Sequence, residues 1–220
     1  MSDTPPEAGR TPSPPDATSR TRRARPAVYT RTGDDGTTGL LYGGRVRKDA
    51  PAPVAYGDVD EAQAVVGVAR AHLEALASTG DAAGDDAGEA SDDAWLAALL
   101  IDVARDLWVL MAELATAPEN RRKLDAGSTL VTGDMVAALE RRIDEVSGRF
   151  DPPAAFVVPG EDLVAAHLDV ARTVVRRAER HAVAAAHPDS KVVPYLNRLS
   201  DLLWVLARWR EGTPRPVADV

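Results

Sequence analysis

Five stretches of this sequence repeat apolar residues at spacings of three and four, and that period, more than any other feature, limits what the chain can fold into. Over residues 58–77, Val59, Ala62, Val66, Ala69, Leu73 and Leu76 line one face of a helix. Residues 95–115 carry Leu96, Leu99, Leu100, Val103, Leu107, Leu110 and Leu114 at the same period. Residues 132–147 carry Met135, Leu139, Ile143 and Val146, with Thr132 suited to cap the helix and Gly148 to stop it. Residues 162–186 and 194–209 supply two more. Strand signals are weak and no strand–helix–strand alternation occurs, so the expectation is an all-α fold, an antiparallel five-helix bundle.

Two kinds of segment interrupt the pattern. Residues 1–27 are rich in Pro, Ser, Thr and Arg and nearly free of large apolar groups, a composition too poor in burial to offset chain entropy, and they read as a disordered tail. Residues 78–93 are acidic and lack the ligand order of a calcium loop, so they read as a solvated linker inside the domain, and 211–220 read as a loose end. The folded domain is expected over 28–210. The formal charge of −8 argues against broad affinity for nucleic acid, and no apolar run reaches the roughly 20 residues of a membrane span. The absence of cysteine removes disulfides, thiolate metal sites and a cysteine nucleophile. With no secretory signal at its polar N-terminus, the chain reads as a cytoplasmic protein.

Residues 29–39, "YTRTGDDGTTG", hold three glycines and four threonines and cannot form a core. The stretch is not a Walker A loop, because Gly-Lys-[Ser/Thr] does not follow. Its glycines would let backbone N–H groups approach an anion, with Thr32, Thr37 and Thr38 adding hydroxyls; a plain surface turn accounts for it equally well. In the fourth helix Arg172, Arg176 and Glu179 fall on one face at i, i+4 and i+7, as either a ladder of surface ion pairs or a contact with a ligand. The fifth helix carries a polar row at the same spacings, Asn197, Asp201, Trp204 and Arg208, at a cost in helix propensity that polar groups at a site would justify.

Six blocks occur in series: "YTRTGDDGTTGLLYGGRVRKD", "YGDVDE", "AELAT", "FVVPG", "ARTVVRRAER" and "YLNRLSDLLWVLAR". In this order they resemble the ATP:cob(I)alamin adenosyltransferases of the propanediol-utilisation type, over residues 28–210. The resemblance implies a ferritin-like up-down bundle, a homotrimer with active sites between subunits, and transfer of the 5′-deoxyadenosyl group of ATP to the cobalt of cob(I)alamin. It implies that Thr30, Arg31, Thr32, Gly33, Asp34, Gly36, Thr37 and Thr38 wrap the triphosphate, with Lys48 as a cationic contact. Arg176 and Glu179 match positions that engage ATP, and Asn197 lies in the block near the same site; a guanidinium suits phosphate.

Asp60 and Arg172 match a salt bridge between neighbouring subunits. Phe156 matches the residue against the lower face of cobalamin that keeps the dimethylbenzimidazole ligand away, which makes Co(II) easier to reduce. None of His72, His167, His181 and His187 stands in the D-x-H-x-x-G arrangement of proteins that ligate cobalt through histidine. Glu161 and Asp162 stand where the family commonly has a glycine or small residue. No residue is expected to ligate a resident metal; Mg²⁺ is expected on the phosphates, an electron-donating reductase as partner, and an adenosylcobalamin-dependent mutase as recipient. A non-catalytic ATP or cobalamin sensor, or a module that delivers the cofactor, would use the same residues.

Overall fold

The computed structural model describes residues 29–79 and 87–219, with side chains described for 29–78 and 92–218. The expected tail at 1–27 lies outside the described residues. The chain divides into two compact units, Met1–Arg31 and Thr32–Val220. In the first, Arg31 adopts φ 61° and its guanidinium lies 5.5 Å from the centre of the Tyr29 ring.

The second unit is mostly helical. It opens with a hairpin, β1 (Thr37–Gly39) antiparallel to β2 (Arg45–Arg47), in which Thr38 faces Val46. Then come α1 (Pro51–Thr79), α2 (Ala87–Leu114), a 3-10 turn (Pro118–Lys123), α3 (Gly133–Ser147), β3 (Val157–Val158), α4 (Leu163–Ala185), α5 (Val192–Glu211), β4 (Arg215–Pro216) and a last 3-10 turn (Val217–Asp219). α1 packs on α4 and α2, α4 on α5, and α3 on α5. The apolar stripes meet in one core: Val59, Val66 and Leu73 of α1, Leu96, Leu100, Leu107 and Leu110 of α2, Leu168 and Val175 of α4, and Leu196, Leu199, Leu202 and Leu206 of α5. No helix among the described residues is long and apolar enough to cross a membrane.

Several boundaries differ from the periodicity. α1 begins at Pro51, seven residues before Asp58, because proline fits a first turn whose N–H groups have no helical acceptor. Leu76 falls outside the core at 41% exposure, beyond Leu73, the last buried residue of α1. The acidic stretch is helical from Ala87, and Asp92 and Asp93 pair with Arg149 at 3.4 Å and Arg210 at 2.5 Å, which ties the start of α2 to the ends of α3 and α5. The chain end expected to be loose instead carries β4, antiparallel to β3. Thr132 caps α3 by accepting from the Met135 N–H at 3.3 Å, and Gly148 ends that helix. Asp162 caps α4 by accepting from the Ala165 N–H at 2.8 Å.

A polar contact reaches into the core from α5. Tyr195, fully buried, donates its hydroxyl to Asp106 Oδ2 at 2.8 Å. Burial holds the Asp106 carboxyl above its usual range, while the Tyr195 bond and the nearby Asp102 charge pull it in opposite directions. Tyr195→Phe is expected to cost about 1–3 kcal/mol by stranding this carboxylate. The loss of the donor also moves the Asp106 pKa further up. A carboxyl whose folded pKa is raised loses stability as pH rises through it, so the penalty measured by urea unfolding is larger at pH 7 than at pH 4. An equal penalty at both would remove Asp106 as its cause.

Candidate functional site

The glycine–threonine loop is held by a local network. Asp35 Oδ1 accepts from the Thr37 N–H at 2.9 Å and the Thr37 hydroxyl at 2.7 Å, an Asx turn, and these two bonds hold its carboxyl below the usual range. Arg45 donates to Thr37 Oγ1 through Nε at 3.1 Å and Nη2 at 2.6 Å, and Nη2 also reaches the Thr32 carbonyl at 2.5 Å. The Lys48 N–H donates to the Gly36 carbonyl at 2.9 Å, and Gly36 takes φ 81°. A Cβ on Gly33 would stand 3.1 Å from the Thr37 carbonyl and 3.2 Å from Lys48 Nζ, so glycine is what lets the loop close over that ammonium. The loop thus gathers Lys48 and Arg45 at its base, and Asp34 within it is exposed. Thr37 is committed to Asp35, which reduces it as a free donor. Thr30 and Arg31 belong to the other unit.

Behind the loop, Leu41 N–H bonds the Ala115 carbonyl at 2.8 Å, fastening the hairpin to the end of α2. A cleft of about 560 Å³ lies there, lined by Arg45, Arg121, Glu113 and His187 among apolar residues. Of the site residues expected from the sequence, none lines it.

A second group sits across α4 and α5. Asn197 Nδ2 donates to Glu179 Oε1 at 3.0 Å, and Arg198 donates to Asn197 Oδ1 while pairing with Asp201 at 3.3 Å. Arg180 Nη1 donates to the Arg176 carbonyl at 2.9 Å; the Arg176 guanidinium is exposed, with no side-chain partner among the described residues. Its neighbour Arg177 turns instead to α1, where it pairs with Asp58 at 3.1 Å and with Glu61; His181 also meets Asp58. Asp60, two residues beyond Asp58 on α1, is exposed and takes no side-chain partner among the described residues.

The third group surrounds a cleft of about 500 Å³ lined by residues 153–157, Pro159, Asp169, Arg172, Trp204 and Arg208. Phe156 stands over it with 91% of its surface exposed. Asp169, 4% exposed, accepts from Arg172 Nε at 2.9 Å and from Arg208 Nη2 at 2.5 Å. Arg208 Nε lies 2.9 Å from Glu211 Oε2, and the Glu211 side chain is fully enclosed. Burial raises the Glu211 carboxyl above its usual range, and the Arg208 charge opposes that rise. One guanidinium therefore sits between two carboxylates, one of which also holds Arg172. The polar row of α5 divides: Trp204 and Arg208 face this cleft, whereas Asp201 pairs with Arg198.

The sequence model of the family described as cobalamin adenosyltransferase matches residues 28–210. The chain belongs to this family. A corrinoid adenosyltransferase of Mycobacterium tuberculosis is 39% identical over 202 residues, 86% of this chain and 95% of that protein. One from Citrobacter freundii is 36% identical over 190 residues, covering 85% of this chain and 96% of the other. Among solved structures, a variant PduO-type ATP:corrinoid adenosyltransferase from Lactobacillus reuteri, complexed with cobalamin and ATP, aligns with a TM-score of 0.70 at 25% identity over 86% of this chain and 98% of that one.

Within one chain no hydrogen bond or ion pair joins Lys48 or Arg45 to Arg176, Glu179 or Asn197, whereas Arg172 stands one turn before Arg176 on α4. Sequence reading missed Asp35, Arg45 and Asp169. The first two had a legible signal, the Asp-x-Thr turn and a basic residue eight positions on. Asp169 had only its i, i+3 spacing from Arg172, which a surface pair shares.

Proposed function

We propose that this chain transfers the 5′-deoxyadenosyl group of ATP to the cobalt of cob(I)alamin, forming adenosylcobalamin and releasing triphosphate. The observation that carries the reading is the exposed Phe156 above the cleft of Arg172, Trp204 and Arg208. A bare aromatic ring costs a soluble protein exposed apolar area, and a flat apolar ligand face would cover it.

Cobalt is the nucleophile. Its electron pair attacks C5′ of the ribose, the C5′–O bond breaks, and that bond's electrons leave with the triphosphate. The chemistry needs no Ser, Cys or His base, only alignment and stabilisation of the leaving charge. Lys48 and Arg45 at the base of the loop, with Thr32, Gly33, Gly36, Thr37 and Thr38 around them, are suited to hold the triphosphate. The exposed Arg176 adds a fork of donors for phosphate oxygens. Glu179, bonded to Asn197, is suited to ribose hydroxyls or the adenine edge.

Phe156 is assigned the lower face of the corrin, displacing the benzimidazole nitrogen. Among the described residues no cluster of three or more His, Asp or Glu forms a metal cage. A Mg²⁺ ion on the phosphates would neutralise the leaving triphosphate, and the exposed Asp34 of the loop is the carboxylate we assign to it.

That no bond links the loop to Arg176 within one chain is compatible with assembly: in an antiparallel bundle of the ferritin-like kind forming a homotrimer, one subunit's loop would meet its neighbour's α4. The exposed Asp60 and the outer nitrogens of Arg172 would pair across that interface. A separate reductase would supply the electron, an adenosylcobalamin-dependent mutase would take the product, and both fit a cytoplasmic setting.

The test supplies cob(II)alamin, ATP, Mg²⁺ and a chemical reductant and follows the visible spectrum. Light-sensitive alkylcobalamin with one triphosphate per turnover is the expected outcome. Binding without triphosphate would instead indicate a sensor or delivery module.

A further inference from the structure

The segment that carries Phe156 has no anchor in the core. Residues 151–162 contribute no side chain to the hydrophobic cluster, which resumes only at Val164. Prolines at 152, 153 and 159 stiffen the segment, and Gly160 takes φ 123°, yet none of these fixes where the ring stands. The contacts that do so come from the end of the chain. β4 pairs antiparallel with β3, setting Val157 opposite Pro216 and Val158 opposite Arg215. The Val217 N–H donates to the carbonyl of Phe156 itself at 2.8 Å. Arg215 grips Glu161 on the far side of the segment, Nε to Oε1 at 2.8 Å and Nη2 to Oε2 at 3.2 Å. Because Pro216 has no N–H, the Val217 donor is the one this strand offers at that point.

The C-terminal segment is itself rooted in the same cleft. α5 supplies Trp204 and Arg208 to its wall and ends at Glu211, whose side chain is enclosed beside Arg208. Gly212 then takes φ 64° and turns the chain toward β4. A short run of chain thus leads from the wall of the cleft to the backbone of the residue above it.

We infer that residues 212–217 are a positioning segment: a backbone clamp that sets Phe156 over the corrinoid cleft, so that the corrinoid half of the reaction depends on it and the ATP half does not. Glu161 is the clamp's side-chain partner. The inference rests on the functional reading above.

Three full-length variants and one shortened chain test it. Val217→Pro removes the donor to Phe156, Val217→Ala keeps it, Arg215→Lys keeps the charge on Glu161, and a chain ending at Thr213 lacks β4. Each is assayed for KM toward cobalamin and toward ATP, and bound cob(II)alamin is examined by electron paramagnetic resonance for the form without a lower axial donor. For Val217→Pro and the shortened chain, KM for cobalamin is expected to rise about three- to tenfold, the worth of a backbone hydrogen bond, and the donor-free signal to fall in step. KM for ATP should stay within about twofold, Val217→Ala should match the parent, and Arg215→Lys, which keeps the charge but loses the fork, should fall between the parent and Val217→Pro in KM for cobalamin. Equal changes in both KM values, or no change in either, would overturn the inference while leaving a working parent enzyme. A parent that forms no alkylcobalamin would remove the functional reading and this inference together.

Discussion

Arg208→Ala is expected to destabilise the fold by about 3–5 kcal/mol, the cost of breaking a buried ion pair by removing one partner. Arg208 is 2% exposed and lies between Asp169 and Glu211, whose side chains are 6% and 0% exposed. Truncation leaves the enclosed Glu211 without its cation and Asp169 with Arg172 alone, and the cost is that of the uncompensated charge, not of the lost contacts alone. The pH dependence follows from Glu211. Its carboxyl is already raised by burial, and Arg208 is the first of the influences holding it down. Without Arg208 its folded pKa moves further above the unfolded value, so stability is lost as pH rises through that range. Urea midpoints at pH 5 and pH 8 should therefore diverge more in the variant than in the parent. Arg208→Lys keeps the charge but loses the fork that spans both carboxylates, and it should fall between the two. A variant as stable as the parent at pH 8 would show that water, not Arg208, solvates these acids.

This pair also marks where sequence reading stopped. Val59 to Leu73, Leu96 to Leu110 and Leu196 to Leu206 were legible because a helix that buries one face must repeat every three to four residues, and the core holds them as expected. The cap at Thr132 was legible for a similar reason, since a short acceptor is needed at a helix start. The start of α1 was not. "PAPVAYG" holds two prolines and a glycine, residues that weaken a helical pattern, although a first turn tolerates both prolines. Arg208 stood in a polar row of α5, but its partner Asp169 lies 39 residues away on another helix, and no local spacing encodes that meeting.

Likewise Arg176 and Arg177 are indistinguishable as letters. Their side chains leave the helix about 100° apart, so one faces outward while the other reaches Asp58. Strands of two or three residues carry too little alternation to be seen, which is why β4 and its hold on Phe156 emerge only from the folded chain. Of the site, the residue types were legible in the blocks, but their division into three groups was not, since that depends on which helix faces meet.

Phe156→Ala should slow adenosylation driven by a mild electron donor about 100-fold, the factor that a rise in reduction barrier of about 120 mV gives when 59 mV is tenfold for one electron. An axial nitrogen raises the energy of the cobalt orbital that must accept the electron; an aromatic ring on that face keeps the nitrogen off, and a methyl group does not. Three observables separate this from ordinary damage. Because the ring is 91% exposed and outside the core, the melting curve should hold within the roughly 0.5 kcal/mol of a surface change. Because the loop with Lys48 and Arg45 is a separate group, KM for ATP should hold as well. A strong chemical reductant that makes cob(I)alamin before binding should recover most of the rate, since the lost help lies in reduction and not in the attack on C5′. If the deficit persists with cob(I)alamin supplied, Phe156 aligns cobalt with carbon instead of tuning its potential. If no deficit appears with either donor, the ring has no part in the reaction, and its exposure above the cleft must answer to some other contact.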